Sequence, residues 1–199
     1  FKNFSIDRNK IEVIHHGFNN NKLNSIETEK TNEPYIYYPA ASFPHKGHKI
    51  LFKSFISLKR KRNIPHKLIL SGMRNKFWKK LIKGIDEDMK KYIIDYGFIN
   101  YTQVKDLYHG ADAIVFPSEF EGFGLPVLEA VQFEKKIICS RLSVFDEIGV
   151  PTQYQIDFSD QNEFYKAILS ETPFKLKKQP LSWDDSISRI YNVIKKAAN

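Results

Sequence analysis

Six short β-rich runs alternate with stretches of helical period along this chain, and that alternation constrains its fold more than any other feature. Residues 35–38, 67–70, 92–94 with their neighbours as far as Gly97, Phe98 and Ile99, 112–116, 136–139 and a weaker run near 154–156 read as strands. Between and after them, residues 47–60, 74–85, 100–108 and 125–133 read as helices, followed by one that opens at Asp160 and one that opens at Ser182. Asn100 with Gln103, Asp160 with Glu163, and Ser182 with Asp185 are spaced as capping boxes. A further β-rich run, residues 11–14, precedes a polar stretch, 19–33, that has no periodicity and reads as a loop or linker. The pattern predicts an α/β fold, an open, doubly wound parallel sheet of about six strands. Ligands bind such sheets beyond the carboxyl ends of the strands, which directs attention to the loops after residues 39, 71, 97, 116 and 139.

A chain of 199 residues is long enough to bury its own core. Cys139 is the only cysteine, which excludes an internal disulfide framework and a cysteine-rich zinc module. No apolar run approaches the roughly 20 residues that span a bilayer, and no secretory leader opens the chain, so a cytoplasmic location is expected. Residue 1 is Phe and the only methionines are Met73 and Met89, which points to a piece of a longer protein. The net charge of +8 suits an anionic partner. It is carried mainly by lysines at helical spacing, Lys76, Lys79, Lys80 and Lys83 among them, and by the run 59–62. These read as solvated helix faces or as a surface for anionic lipid. No nucleic-acid motif accompanies them, so nucleic acid is not an expected partner.

Chemistry concentrates in two loops. In residues 117–126 a strand delivers the chain to Gly122 and Gly124, and a helix begins at once with Pro126 in its first turn. Glycines let the backbone approach a ligand, and the helix N-terminus offers free N–H groups and partial positive charge to a phosphate. The Gly-Lys-Ser/Thr ending of a Walker loop and the three-glycine dinucleotide fingerprint are both missing. Glu121 and Glu129 stand eight apart; carboxylates accept from hydroxyl donors such as those of a sugar or ribose. Taken singly, Glu121 also reads as a helix cap three residues after Ser118, and Glu129 as a surface residue. In the second loop, residues 39–48, Lys46 follows the first core strand and can neutralise a diphosphate as a point charge. His45 and His48 are three apart, but no nearby carboxylate or cysteine completes a metal set, so no metal is expected and His45 reads as a hydrogen-bonding loop residue. Asp86-Glu87-Asp88 fits an Asp-x-Asp metal motif literally, yet it follows a basic helix and reads as a solvated turn.

Residues 117–140 together with the Lys46-Gly47 loop resemble the carboxy-terminal domain of retaining nucleotide-sugar glycosyltransferases of family 4, whose GT-B fold faces two Rossmann-like domains across the active site. The family's Glu-x7-Glu matches at Glu121 and Glu129, and its Gly-Phe-Gly-Leu at Gly122, Phe123, Gly124 and Leu125. Residues 16–19, 107–113 and 182–184 resemble its entry, motif approach and last helix. The resemblance implies that residues 34–199 are the donor-binding half of a GT-B enzyme ending in a crossing helix. Residues 1–33 would then be the end of the other domain and a linker. It implies further that Glu121 contacts the donor sugar, Glu129 the ribose, the amides of residues 122–125 the sugar and phosphate, and Lys46 the leaving diphosphate. Gly72, Phe98 and Ile99 would border the base. The implied donor is a nucleotide-diphosphate sugar, GDP-mannose or a UDP-sugar, and the acceptor a glycan or lipid-linked sugar in polysaccharide synthesis. No cofactor and no metal are implied, and the missing amino-terminal domain is an expected partner, as is the inner face of an anionic membrane. The sequence departs from the family where an Arg commonly precedes the Lys by five residues, here Ala41, and where Gly and Pro follow the motif helix, here Glu134 and Lys136. Another GT-B enzyme, such as a nucleotide-sugar epimerase or a phosphorylase, and a non-enzymatic basic module are the competing readings.

Overall fold

The computed structural model describes residues 7–18, 33–171, 174–178 and 180–198. Its centre is a six-stranded, wholly parallel sheet of order β3-β2-β1-β4-β5-β6. The strands are β1 (Tyr35–Pro39), β2 (Lys67–Ser71), β3 (Ile93–Asp95), β4 (Ala113–Phe116), β5 (Lys136–Ser140) and β6 (Gln155–Ile156). That order reverses direction between β1 and β4, which opens a crevice at their carboxyl ends. β1 and β4 are buried over their central residues on both faces, as parallel strands covered by helices must be. Their runs of Ile, Val, Tyr and Phe therefore show no alternation.

The crossover helices are α1 (His48–Arg62), α2 (Lys76–Lys83), α3 (Glu87–Lys90), α4 (Tyr101–Gly110), α5 (Leu125–Gln132), α6 (Ser143–Glu147) and α7 (Gln161–Leu169); α8 (Trp183–Ala198) closes the chain. The Asn100–Gln103 capping box forms in both directions. Asp160 caps α7 through the Asn162 and Glu163 amides, but Glu163 turns instead to Arg141 and the Asp157 amide, so only half a box forms there. Lys136, where the resembled family has proline, donates to the Ile168 and Ser170 carbonyls at the end of α7. Glu134, where the family has glycine, takes up a left-handed φ of 53°.

Three expectations need correction, and one helix was not expected. Residues 11–14 form no strand: they are irregular after a short 3-10 turn at Arg8–Lys10, and Val13 is exposed. The third strand ends at Asp95 rather than near Gly97, because the Asp95 carboxylate accepts from the Gly97 amide and turns the chain. Asp86-Glu87-Asp88 is no simple turn but starts the one-turn helix α3, with Asp86 and Asp88 on Arg60. The short helix α6, which carries no long apolar period, was legible in no pattern. The polar stretch 19–33 lies outside the described residues except for Glu33.

The chain gathers into two compact units, residues 22–178 and residues 1–21 with 179–199. Within the second, a Cβ on Gly17 would lie 2.3 Å from the Trp183 backbone. The Phe18 amide donates to Leu181, and the Ser186 hydroxyl to the His15 carbonyl. The segments 16–18 and 182–184 thus pack on each other.

Candidate functional site

Two loops at the carboxyl ends of β1 and β4 are stitched together before any ligand is considered. Gly47 sits at φ 71°, and a Cβ there would fall 1.9 Å from the Pro117 carbonyl oxygen. Only glycine permits both that backbone conformation and that approach. Alongside, the Glu119 amide donates to the His45 carbonyl at 2.8 Å. The Lys46 carbonyl accepts from the hydroxyl of Tyr38, a buried strand residue of β1. The lysine is held by its backbone, and its side chain is directed outward from that anchor.

Lys46 Nζ lies 2.8 Å from Glu121 Oε1 and 3.0 Å from Oε2. The Ser118 hydroxyl donates to the same carboxylate at 2.6 Å. Glu121 therefore does not cap α5; the cap position is Gly124, which has φ 85° and offers no side chain. Gly124 is buried against Phe145, whereas a Cβ on Gly122 would meet nothing within 4 Å, so the turn is tight on one side and open on the other. The pair is only partly screened, with 21% of the Lys46 side chain and 10% of the Glu121 side chain accessible.

Glu129 is one turn into α5. The residue is exposed overall, yet desolvation of its carboxyl raises its pKa above the usual carboxylate range. It lies close enough to the buried Tyr37 and Tyr108 hydroxyls to help push both upward, after the larger effect of their own burial.

Gly72, Phe98 and Ile99 belong to a neighbouring part of the same sheet end. Gly72 has φ 129°, a Cβ on it would fall 2.5 Å from the Ala40 carbonyl oxygen, and its amide donates to the Gly97 carbonyl at 2.7 Å. Phe98 is 80% exposed and Ile99 half-buried. The loops after β1, β2 and β3 are braced by Arg74. Its guanidinium bonds Asp95 at 2.6 Å and the Ala40 carbonyl at 2.9 Å, and lies over the Trp78 ring. The structure thus brings Lys46, Glu121 and the Gly122–Leu125 turn into one cluster, and Gly72 with the Gly97-Phe98 turn into another at the same edge.

The two histidines of the first loop part company. His45 is exposed and stacks on Phe43 with ring centroids 5.9 Å apart. His48 is fully buried among Tyr38, Phe52 and Trp78, and burial lowers its pKa to about 4. Among the described residues no group of three or more His, Cys, Asp or Glu could hold a metal ion. Cys139 is buried and its thiol is pushed far up in pKa, which makes it inert.

The sequence pointed to the lysine, the glutamates and the glycines but missed what positions them. Tyr38, read only as a strand residue, and Ser118, read only in a helix cap, are the residues whose parts were missed; a tyrosine in a fully buried strand is a signal, because its hydroxyl must find a partner. Phe43 and Phe120, both exposed at this edge, had no signal in periodicity.

The Glycosyl transferases group 1 family matches residues 19–171. The chain belongs to that family. Over 194 residues this group 1 chain is 29% identical to the O-antigen chain mannosyltransferase RfbU of Salmonella typhimurium, covering 97% of the chain and 50% of the relative. It is 25% identical to O-antigen chain mannosyltransferase B of Escherichia coli, covering 81% of the chain and 45% of the relative. The chain thus spans about half the length of the curated relatives it matches. The solved structure of the lipopolysaccharide outer core galactosyltransferase WaaB superposes with a TM-score of 0.72 at 17% identity, covering 97% of this chain and 57% of that one. TarM superposes with 0.69 at 18% identity, covering 98% and 37%. The Rossmann-like α/β fold is therefore that of its GT-B neighbours.

Proposed function

We propose that this chain is the donor-binding half of a retaining family 4 glycosyltransferase, which transfers a sugar from a nucleotide-diphosphate donor to an acceptor hydroxyl in polysaccharide synthesis. The observation that carries the reading is the Lys46–Glu121 contact of 2.8 Å, made by loops that Gly47 and Pro117 lock together at the reversal of strand order. An ammonium and a carboxylate side by side suit a ligand with an anion next to hydroxyl groups. In this reading Lys46, the amides of residues 122–125 and the N-terminus of α5 act on one charge, the negative charge that grows on the diphosphate as its bond to the anomeric carbon breaks. Glu121 accepts from the donor sugar and Glu129 from the ribose. Gly72, Phe98 and Ile99 border the base. The acceptor oxygen attacks from the face the diphosphate leaves, and its proton passes to a departing phosphate oxygen. Bond and charge then balance without a bound metal. The mannosyltransferase names of the two relatives favour GDP-mannose over a UDP-sugar as donor, and a glycan or lipid-linked sugar as acceptor.

Calorimetric titration with GDP and UDP tests the site. Saturable binding that Glu129→Ala weakens by about tenfold or more supports it, since a hydrogen bond to a charged group is worth about 1.5–3 kcal/mol. Binding that depends on salt alone and ignores that change would show a general polyanion surface instead. A nucleotide-sugar panel against the intact enzyme, scored for transfer and for epimerisation, separates a transferase from an epimerase on the same fold.

A further inference from the structure

Helices α1 and α2 carry the most one-sided charge in the molecule. α1 has six basic residues and α2 has four, and neither has an acidic one. On α2 the apolar residues Phe77, Trp78, Leu81 and Ile82 occupy one side and Lys76, Lys79, Lys80 and Lys83 the other. Trp78 is buried against Phe52 and His48 of α1, which joins the helices at one point. Beyond that point they part and leave a groove of about 590 Å³. Its floor is apolar, built from Phe52, Ile56, Phe77, Leu81 and Ile85. Lys49, Lys53 and Lys80, all exposed, stand around it, and no acidic residue lines it. Of the acidic residues that follow α2, Asp86 and Asp88 are taken by Arg60 and Glu87 by Lys90.

We propose that this groove docks the protein on a bilayer containing anionic phospholipid, with the apolar floor against acyl chains and Lys49, Lys53 and Lys80 on the headgroup phosphates. The inference rests on the groove's own chemistry and not on the donor site. Charge complementarity selects the occupant. Three unpaired lysines without an acid among them require an anion, and an unfilled apolar floor gives nothing to a wholly polar one. A lipid supplies both halves. Lysines suit this geometry because their aliphatic stems lie along apolar surface while the ammonium reaches the headgroup layer. Lys76, Lys79 and Lys83, exposed on the outer side of α2, extend the same positive field.

The test is vesicle flotation of the full chain with phosphatidylcholine alone and with phosphatidylglycerol added. Binding is expected only to the mixed vesicles. The triple variant Lys49→Gln, Lys53→Gln, Lys80→Gln should weaken it on the order of a hundredfold, at about a kilocalorie per lysine near the surface. A charge-matched variant, Lys175→Gln, Lys195→Gln, Lys196→Gln, should stay within about twofold of the parent. Ile56→Ser should weaken vesicle binding while leaving binding to heparin unchanged. The lysine variants alter only exposed side chains and keep the test valid should Ile56→Ser unfold. Absence of binding to the mixed vesicles overturns the proposal, as does equal loss in the two triple variants. So does a folded Ile56→Ser that binds vesicles as the parent does.

Discussion

His48 shows how a single buried group couples this fold to pH. Its environment of Tyr38, Phe52 and Trp78 favours the neutral ring, and its pKa falls from 6.5 to about 4. Unfolded chains therefore bind a proton that folded ones refuse between those values, so stability is full above pH 6.5 and declines as pH falls towards 4. The cost across that window is on the order of 3 kcal/mol. His48→Leu should remove most of that slope, and urea midpoints measured between pH 4 and 7 check it. Glu129 has the opposite sign: its raised carboxyl pKa means that ionisation above the usual carboxylate range costs folding free energy. A charge that the fold tolerates at some cost is what a binding residue in an α5 otherwise packed by Val127, Leu128 and Ala130 looks like.

At the scale of elements, the glycine turns decide whether the site exists. Gly47→Ala would drive a methyl group into the Pro117 carbonyl and demand a left-handed alanine. A loss of about 2–4 kcal/mol in thermal stability is expected, together with loss of nucleotide binding in whatever remains folded. Glu134 is the converse case, a non-glycine in a left-handed conformation after α5. Glu134→Gly should raise stability by up to about 1 kcal/mol, seen as a modestly higher melting temperature, without touching nucleotide affinity. These two residues also mark what was legible. The strands β1, β2, β4 and β5 could be read because each is a short apolar run between polar turns. The placing of Lys46 and Glu121 in the loops after β1 and β4, and of Glu129 in the helix that follows, could be read because strand and helix patterns bound those loops. The closeness of the two loops could not be read, because Gly47 against Pro117 is a contact between segments 70 residues apart, and no local period encodes it. Nor could α6, five residues long, or the end of β3, which is set by a side chain, Asp95, closing on a backbone amide.

At the scale of the whole molecule, the chain spans about half of the relatives it matches, and the sheet end that gathers Lys46, Glu121 and Gly72 presents exposed Phe43, Met73, Phe98 and Phe120. A saturable nucleotide complex without sugar transfer is therefore expected of these 199 residues. Turnover by them alone, followed as release of GDP or UDP in the presence of acceptor, would contradict it. The ion pair between Lys46 and Glu121 has one more consequence. Lys46 is already paired with Glu121, so an incoming anion must compete with a carboxylate for the ammonium, and a bare anion leaves that carboxylate with the Ser118 hydroxyl as its remaining donor. Only a molecule that brings hydroxyls to the glutamate at the same moment compensates both. In the proposed donor site this resting pair disfavours inorganic phosphate and pyrophosphate, so discrimination among phosphates precedes any reading of the base.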